Sequence, residues 1–275
     1  MTASATDFSA YPKPIGPWQN RVRCTPVRLI SAEELKGWIL FEDERVLVIN
    51  KPGDFVCHPS KDGPWSSLVG AAREYLGLPA VHLVFRLDRE TSGVILFAKD
   101  PATGRKMQMA AERRRYHKEY LAIHWGELPS VLEIDQPLGP DYESMVTVKR
   151  RVVAAGEAGQ DAKTHFTRLQ AARGFTLTRV VTRTGRQHQI RAHAQWAGFP
   201  LIGDKIYGPD ARLYLKFVEE GWSDQLAERL LLPRQALHCA RIDLTPMDEP
   251  YVFEAALPKD MRGFIREHMG AEAVI

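Results

Sequence analysis

The segment Arg86-Leu87-Asp88-Arg89-Glu90-Thr91-Ser92-Gly93 sets a polar turn between two apolar runs, and it constrains the fold more than any other stretch. Upstream lies Val81-His82-Leu83-Val84-Phe85 and downstream Val94-Ile95-Leu96-Phe97-Ala98. Both are rich in β-branched and aromatic side chains and so read as strands. The downstream run has no polar interruption, which predicts a strand buried on both faces. Asp88 then projects from a rigid scaffold at the edge of a core. Thr91 and Ser92 can hydrogen-bond the turn backbone, and Gly93 can take a positive φ. A carboxylate held this way is a candidate nucleophile or general base. The plainer alternative is a turn aspartate that caps its own loop.

At 275 residues the chain is long enough for one large domain or two small ones, and 44% hydrophobic with 26% charged residues is ordinary for a globular protein. No apolar stretch approaches the ~18 residues that span a bilayer. Met1 to Pro17 carries no apolar core of a secretion signal. The expectation is a cytoplasmic protein with no membrane partner. Cys24, Cys57 and Cys239 are widely spaced and form no disulfide framework, as suits a reducing compartment. A net charge of +3 does not by itself point to nucleic acid. Local clustering says more: Arg105, Lys106, Arg113, Arg114, Arg115 and Lys118 fall close together, opposed by Glu112 alone, and Lys149-Arg150-Arg151 forms a second group. Such clusters are either solvated surface or phosphate contacts.

Residues 1–40 read as an extension in which Pro12, Pro14, Pro17 and Pro26 break regular structure and Ser31-Ala32-Glu33-Glu34-Leu35 allows one short capped helix. Residues 41–258 read as the main domain and 259–275 as a tail. Arg45 to Asn50 is a strand followed by a turn at Lys51-Pro52-Gly53-Asp54. Ser66 or Ser67 starts a helix through Leu76 that Gly77 closes, and Asp100-Pro101 starts another running to about Arg115. Lys118 to Trp125 alternates: Tyr120, Ala122 and His124 share one face, and Leu121, Ile123 and Trp125 the other. Residues 132–163 suggest hairpin arms, and 240–257 a terminal hairpin. Strands mix with helices without a regular βαβ cadence, so the fold class is α+β with a mixed, largely antiparallel sheet.

A second dense segment is Thr184-Gly185-Arg186-Gln187-His188-Gln189-Ile190-Arg191-Ala192-His193, at the start of a helix that Gly198 and Pro200 end. Arg191 in the first turns can pair with a carboxylate and keep it ionised. Cys57 and His58 are adjacent on an extended segment, face opposite ways and make a poor catalytic dyad. His188 and His193 miss the i, i+4 spacing of a helical metal pair, so no metal site is read. No nucleotide, dinucleotide or serine-hydrolase motif occurs.

Taken together, R-L-D-x-x-T-S-G at Arg86–Gly93, K-x-Y-x-A at Lys118–Ala122, and G-R-x-H-Q-I-R-x-H at Gly185–His193 followed by Gly198 to Gly208 resemble, in order, the motifs of the RluA-type pseudouridine synthases. Asn50-Lys51-Pro52-Gly53 is similar to a further segment of that family. Many members carry His before the motif arginine, where this chain has Phe85. The resemblance implies a bent mixed sheet with a cleft across its centre, and isomerisation of uridine in structured RNA, rRNA or tRNA. It implies Asp88 as the catalytic residue, Arg191 as its partner, and Tyr120 stacked near the base as a candidate proton acceptor. Arg86, Arg186, His188 and Lys51 become substrate-binding candidates, and Arg113, Arg114 and Arg115 phosphate contacts. No redox change occurs in the reaction, so no cofactor is expected. Neither is an obligatory protein partner, and the chain is expected to be a monomer. Some relatives carry a small basic RNA-binding domain before the catalytic one; residues 1–40 are too short and proline-rich to be expected to form it. Two alternatives use the same residues: an RNA-binding or RNA-folding protein without activity, and an N-glycosidase that releases the base.

Overall fold

The computed structural model describes residues 28–58, 62–113, 115–154, 156–270 and 272–273. In chain order the elements are α1 (Ala32–Trp38), β1 (Ile39–Glu42), β2 (Val46–Lys51), α2 (Leu68–Leu76), β3 (His82–Leu83), β4 (Ser92–Ala98), α3 (Pro101–Glu112), β5 (His117–Trp125), β6 (Val131–Asp135), β7 (Leu138–Pro140) and β8 (Arg150–Val152). They continue with β9 (Lys163–Ala172), β10 (Phe175–Thr182), α4 (Gln189–Trp196), α5 (Arg212–Glu220), α6 (Asp224–Leu230), β11 (Leu237–Asp243), β12 (Val252–Glu254) and α7 (Lys259–Phe264). Ten strands form one sheet in the order β1-β2-β4-β11-β5-β10-β9-β6, with β3 against β4 and β12 against β11; β7 and β8 pair separately. Among the described residues the only parallel pairing in the large sheet is β4 with β11. The fold is the mixed, largely antiparallel α+β class that the sequence pattern implies.

The uninterrupted apolar run does become a fully buried strand: every residue of β4 is buried. It lies between β2 and β11, and the close approach to β11 explains Gly93. Gly93 has φ 115°, and a Cβ there would stand 2.2 Å from the Cys239 carbonyl oxygen. Beside it the Ser92 hydroxyl lies 2.9 Å from His238 Nδ1. The upstream run contributes less strand than its composition predicts. Only His82 and Leu83 pair in β3, because the chain turns away from the sheet to carry Asp88 into the cleft.

The alternation of β5 is seen directly. Tyr120 and Ala122 join the main core, while Leu121 and Ile123 join a second core. That second core is covered by Met261, Phe264, Ile265 and Met269. Residues 259–269, read from sequence as tail, are therefore a helix seated on the sheet, because its apolar residues recur on one side. At the other end Ser31 caps α1 with the reciprocal capping box its sequence suggests, and Ile30 and Leu35 are buried. The prolines at 12, 14, 17 and 26 lie outside the described residues. Ser67 caps α2, Gly77 closes it with φ 63°, and Asp100 caps α3. No helix among the described residues is long and apolar enough to cross a membrane.

Gly93→Ala adds a methyl group into the Cys239 backbone at a positive φ. It is expected to destabilise the protein by at least about 2 kcal/mol, read as a lower urea midpoint at unchanged m-value.

Candidate active site

The turn between β3 and β4 is held from beneath by side chains of distant segments. Lys51, at the end of β2, is fully buried, and its ammonium donates to the carbonyls of Arg89 (2.8 Å), Thr91 (2.7 Å) and Pro52 (3.0 Å). The Cys57 thiol donates to Leu87 O at 3.2 Å. Gln235 donates to Thr91 Oγ1 at 2.7 Å, and Arg234 to Glu90 O at 3.1 Å. Lys205, 2% exposed, pairs with Glu90 Oε1 at 2.6 Å. Each buried donor has an acceptor, as burial demands. The result is a loop whose backbone has little freedom to move.

Asp88 rises from this loop with 29% of its side chain exposed, and Arg191 Nη1 donates to its Oδ2 at 2.8 Å. Arg191 sits in the first turn of α4 and is itself buried. Its two-pronged contact is made elsewhere. Nε donates to Asp204 Oδ2 at 2.6 Å and Nη2 to Asp204 Oδ1 at 2.9 Å. The fully buried Asp204 also accepts the backbone N–H groups of Ile206 and Tyr207, at 3.0 and 2.9 Å. Asp204 therefore fixes the guanidinium, and the guanidinium presents its remaining edge to Asp88. Burial is the largest single influence and would raise the carboxyl pKa of Asp88, but the Arg191 charge, with His188 and the hydrogen bonds from Arg191 and Gln235, together outweigh it, and Asp88 is held below the ordinary value near 3.8. Arg191 is likewise driven further into its charged form: burial opposes this, and Asp204 and Asp88 overcome it.

His188 precedes α4 with φ 57°, and its Nε2 lies 3.9 Å from Asp88 Oδ2. Burial first, then the Arg191 charge, lowers its pKa to about 4, so at neutral pH it is an uncharged imidazole and not an ion-pair partner. Its Nδ1 lies 3.0 Å from the Tyr207 hydroxyl, which accepts the Arg150 backbone N–H at 2.7 Å. The Lys149-Arg150-Arg151 cluster is thus tied to the site through β8, and the Arg150 side chain donates to Gln187 Oε1 at 2.6 Å.

Asp88, Tyr120, Lys118, His188 and Arg191 line one cavity of about 90 Å³. Asp88 and Lys118 also line a groove of about 1390 Å³ that runs past it. Tyr120 is 7% exposed, and burial raises its phenol pKa well above 10. At neutral pH it is a protonated phenol offering a ring face and an O–H. Lys51 departs from its expected role, since a fully buried ammonium committed to three carbonyls has nothing left for substrate. Arg86 is exposed and lines both cavities, and Arg186 lines both while donating to Asp161 O at 3.0 Å. Arg113 and Arg115 are exposed at the end of α3 and line neither cavity; Arg115 pairs with Asp248 at 3.2 Å. Arg114 lies outside the described residues. Among the described residues no group of three or more His, Cys, Asp or Glu is placed to hold a metal ion.

Sequence reasoning missed Asp204 and Gln235. Asp204 did carry a signal, a lone carboxylate in the glycine-flanked turn Gly203-Asp204-Lys205-Ile206-Tyr207-Gly208 shortly after Arg191. Gln235 carried none.

Residues 45–196 match the family described as RNA pseudouridylate synthase. The chain is 34% identical over 239 residues to a ribosomal large subunit pseudouridine synthase D of Pseudomonas aeruginosa, covering 83% of this chain and 71% of that protein. It is 34% identical over 239 residues to an uncharacterized RNA pseudouridine synthase of Bacillus subtilis, covering 84% and 72%. Among solved structures it resembles the human RNA pseudouridylate synthase domain containing 4 with a TM-score of 0.67 at 25% identity, over 86% of this chain and 94% of that one.

Removing the Asp204 charge leaves a buried guanidinium half-paired. Asp204→Asn is expected to cost about 3–5 kcal/mol. The pKa of Asp204 is depressed below its ordinary value near 3.8, against the effect of burial, by Arg191 and two backbone donors. A depressed carboxylate stabilises the fold above its unfolded pKa and loses that contribution as pH falls through the folded one. The gap between wild type and variant in urea midpoint should therefore be full at neutral pH and close only below about pH 4.

Proposed function

The chain belongs to the RNA pseudouridylate synthase family and is an RNA pseudouridine synthase, and on that premise we propose that Asp88 is its nucleophile and that its target is a uridine of ribosomal RNA. The observation that carries the first claim is the 2.8 Å bond from Arg191 to a carboxylate held below its ordinary pKa on the floor of a cleft. The second is supported by relatives named for the large ribosomal subunit.

Pseudouridylation detaches uracil from C1′, turns it, and rejoins it through C5. The leaving base departs with the bonding pair, and an ionised carboxylate beside the sugar or the ring compensates or captures the electron-poor centre. A carboxylate attacking an anomeric carbon has its precedent in retaining glycosidases. Among the described residues Asp88 is the only carboxylate lining the small cavity. Once free again, it is therefore also the nearest ionised acceptor for the proton that leaves carbon. Tyr120 contributes a ring against the pyrimidine and a phenolic donor, and neutral His188 a second polar contact. A uridine in structured RNA must first leave its stack. Arg86, exposed at the mouth of both cavities, is placed to fill the vacated space or meet a flanking phosphate. We propose a monomer acting in the cytoplasm without cofactor, with Arg113, Arg114 and Arg115 adding sequence-independent phosphate attraction.

RNA tritiated at uracil C5 measures turnover, because the C5 hydrogen exchanges with solvent when the new bond forms. Wild type is expected to release label from ribosomal RNA. Asp88→Asn should drop to background with RNA affinity within about threefold of wild type, since charge is lost and size kept. Free uracil in place of C5 release would point to an N-glycosidase, and unchanged turnover by Asp88→Asn would refute the role of Asp88. Changing Arg113, Arg114 and Arg115 to Ala should do the opposite, weakening binding and flattening its salt dependence with little change in the saturated rate.

A further inference from the structure

Beside the cavity that holds Asp88 lies a cluster with no part in the chemistry above. The rings of Phe85 and Tyr116 stand 6.1 Å apart, tilted by 42°. The Lys118 ammonium lies 4.8 Å from the Phe85 centroid, 5.9 Å from that of Tyr116 and 6.0 Å from that of Tyr120. Phe85 and Tyr116 are half-buried at the margin of the main core and face the large groove, and Lys118 lines both the groove and the small cavity.

The charge on Lys118 is what needs explaining. The other two buried ammonium groups of the site are satisfied, Lys51 by three carbonyls and Lys205 by Glu90. Lys118 makes no ion pair with a carboxylate of the described residues. Its neighbour Glu119 is engaged by Arg179 and Arg241 instead. Ring faces compensate a cation only in part, and burial already works against its charged form. A half-buried cation left this way has room for an anion. The groove it faces, at about 1390 Å³, exceeds what a drug-sized ligand fills and suits a segment of polymer. Aromatic rings that line a groove beside a cation are the means by which proteins hold unpaired nucleotides: the base stacks and the phosphate is neutralised.

We propose that Phe85, Tyr116 and Lys118 form a subsite for one nucleotide flanking the target uridine, its base stacked on the two rings and its phosphate on the Lys118 ammonium. The subsite rests on the RNA reading of the Asp88 cavity. It makes the flanking residue of the RNA, and not only the uridine, part of what the protein selects. Stacking accepts any base and favours purines over pyrimidines by ring area.

The test uses the full chain carrying Asp88→Asn, so that nothing turns over, and short oligouridylates with a single 2-aminopurine, whose fluorescence falls on stacking. Quenching on binding is expected with the probe at one flank of the central uridine and not at remote positions. Phe85→Leu and Tyr116→Leu should abolish it and weaken binding about five- to a hundredfold, whereas Phe85→Tyr, which keeps a ring, should retain it. With an abasic residue at that flank, the two leucine variants should bind no more weakly than the parent, because the contact they remove is already gone. Lys118→Met should leave quenching intact while lowering the salt slope by about one phosphate. Quenching that survives both leucine substitutions, or penalties that simply add to the abasic one, would overturn the subsite. So would failure of the parent to bind any oligouridylate, since a stack and a phosphate contact should hold a short strand. The RNA reading fails separately, if wild type releases no tritium from any cellular RNA.

Discussion

A guanidinium has two edges that can meet a carboxylate, and in this protein Arg191 gives them to different partners. Asp204 takes the Nε and Nη2 pair and is itself fastened by two backbone N–H groups; Asp88 receives a donor of the remaining nitrogen, Nη1. The division matters because the two carboxylates have different duties. A fully buried ion pair gains little net stability from its own attraction, since desolvation offsets most of it. Its use here is geometric: Asp204 immobilises the arginine, so that the charge reaching Asp88 has a fixed position and direction. Asp88 keeps lone pairs and partial exposure, as a reacting group must.

The same division runs through the other cations. Lys51, Lys205 and Arg234 are buried beneath the Asp88 turn and are bound to its backbone or to Glu90. They hold the turn rigid and are unavailable to substrate. Arg86, Arg186 and Lys118 instead line the cavities. A net charge of +3 thus conceals two populations of basic residues, one structural and one facing the cleft. Neutral His188 and protonated Tyr120 complete the cavity around the ionised Asp88, the group proposed to react.

What could be read from the sequence follows what is local. The β4 run, the caps at Ser31, Ser67 and Asp100, and the alternation of β5 are set by neighbours a few residues away, and all appear in the fold. The Asp88–Arg191 contact spans 103 residues and was reached through motif resemblance, not through periodicity. Asp204 stood out as a lone carboxylate in a glycine-flanked turn, but nothing in one dimension says that this turn folds back to the first turn of α4 and pairs with Arg191. Lys51 was misread for the same reason. A lysine beside a turn looks exposed until the surrounding sheet shows that it is enclosed. The raised pKa of the Tyr120 phenol comes first from desolvation, a quantity that exists only once β5, β11 and the main core have packed.

Asp88 is an oriented, ionised carboxylate because Arg191 is fixed by Asp204. Titration of the Asp88 side-chain carboxyl by carbon-13 NMR, in wild type and in Arg191→Met, measures this directly. Wild type should titrate below the ordinary value near 3.8. The variant, with burial no longer opposed by the guanidinium, should titrate well above it. An Asp88 that titrates at an ordinary value in wild type, and does not move when Arg191 is removed, would contradict the account.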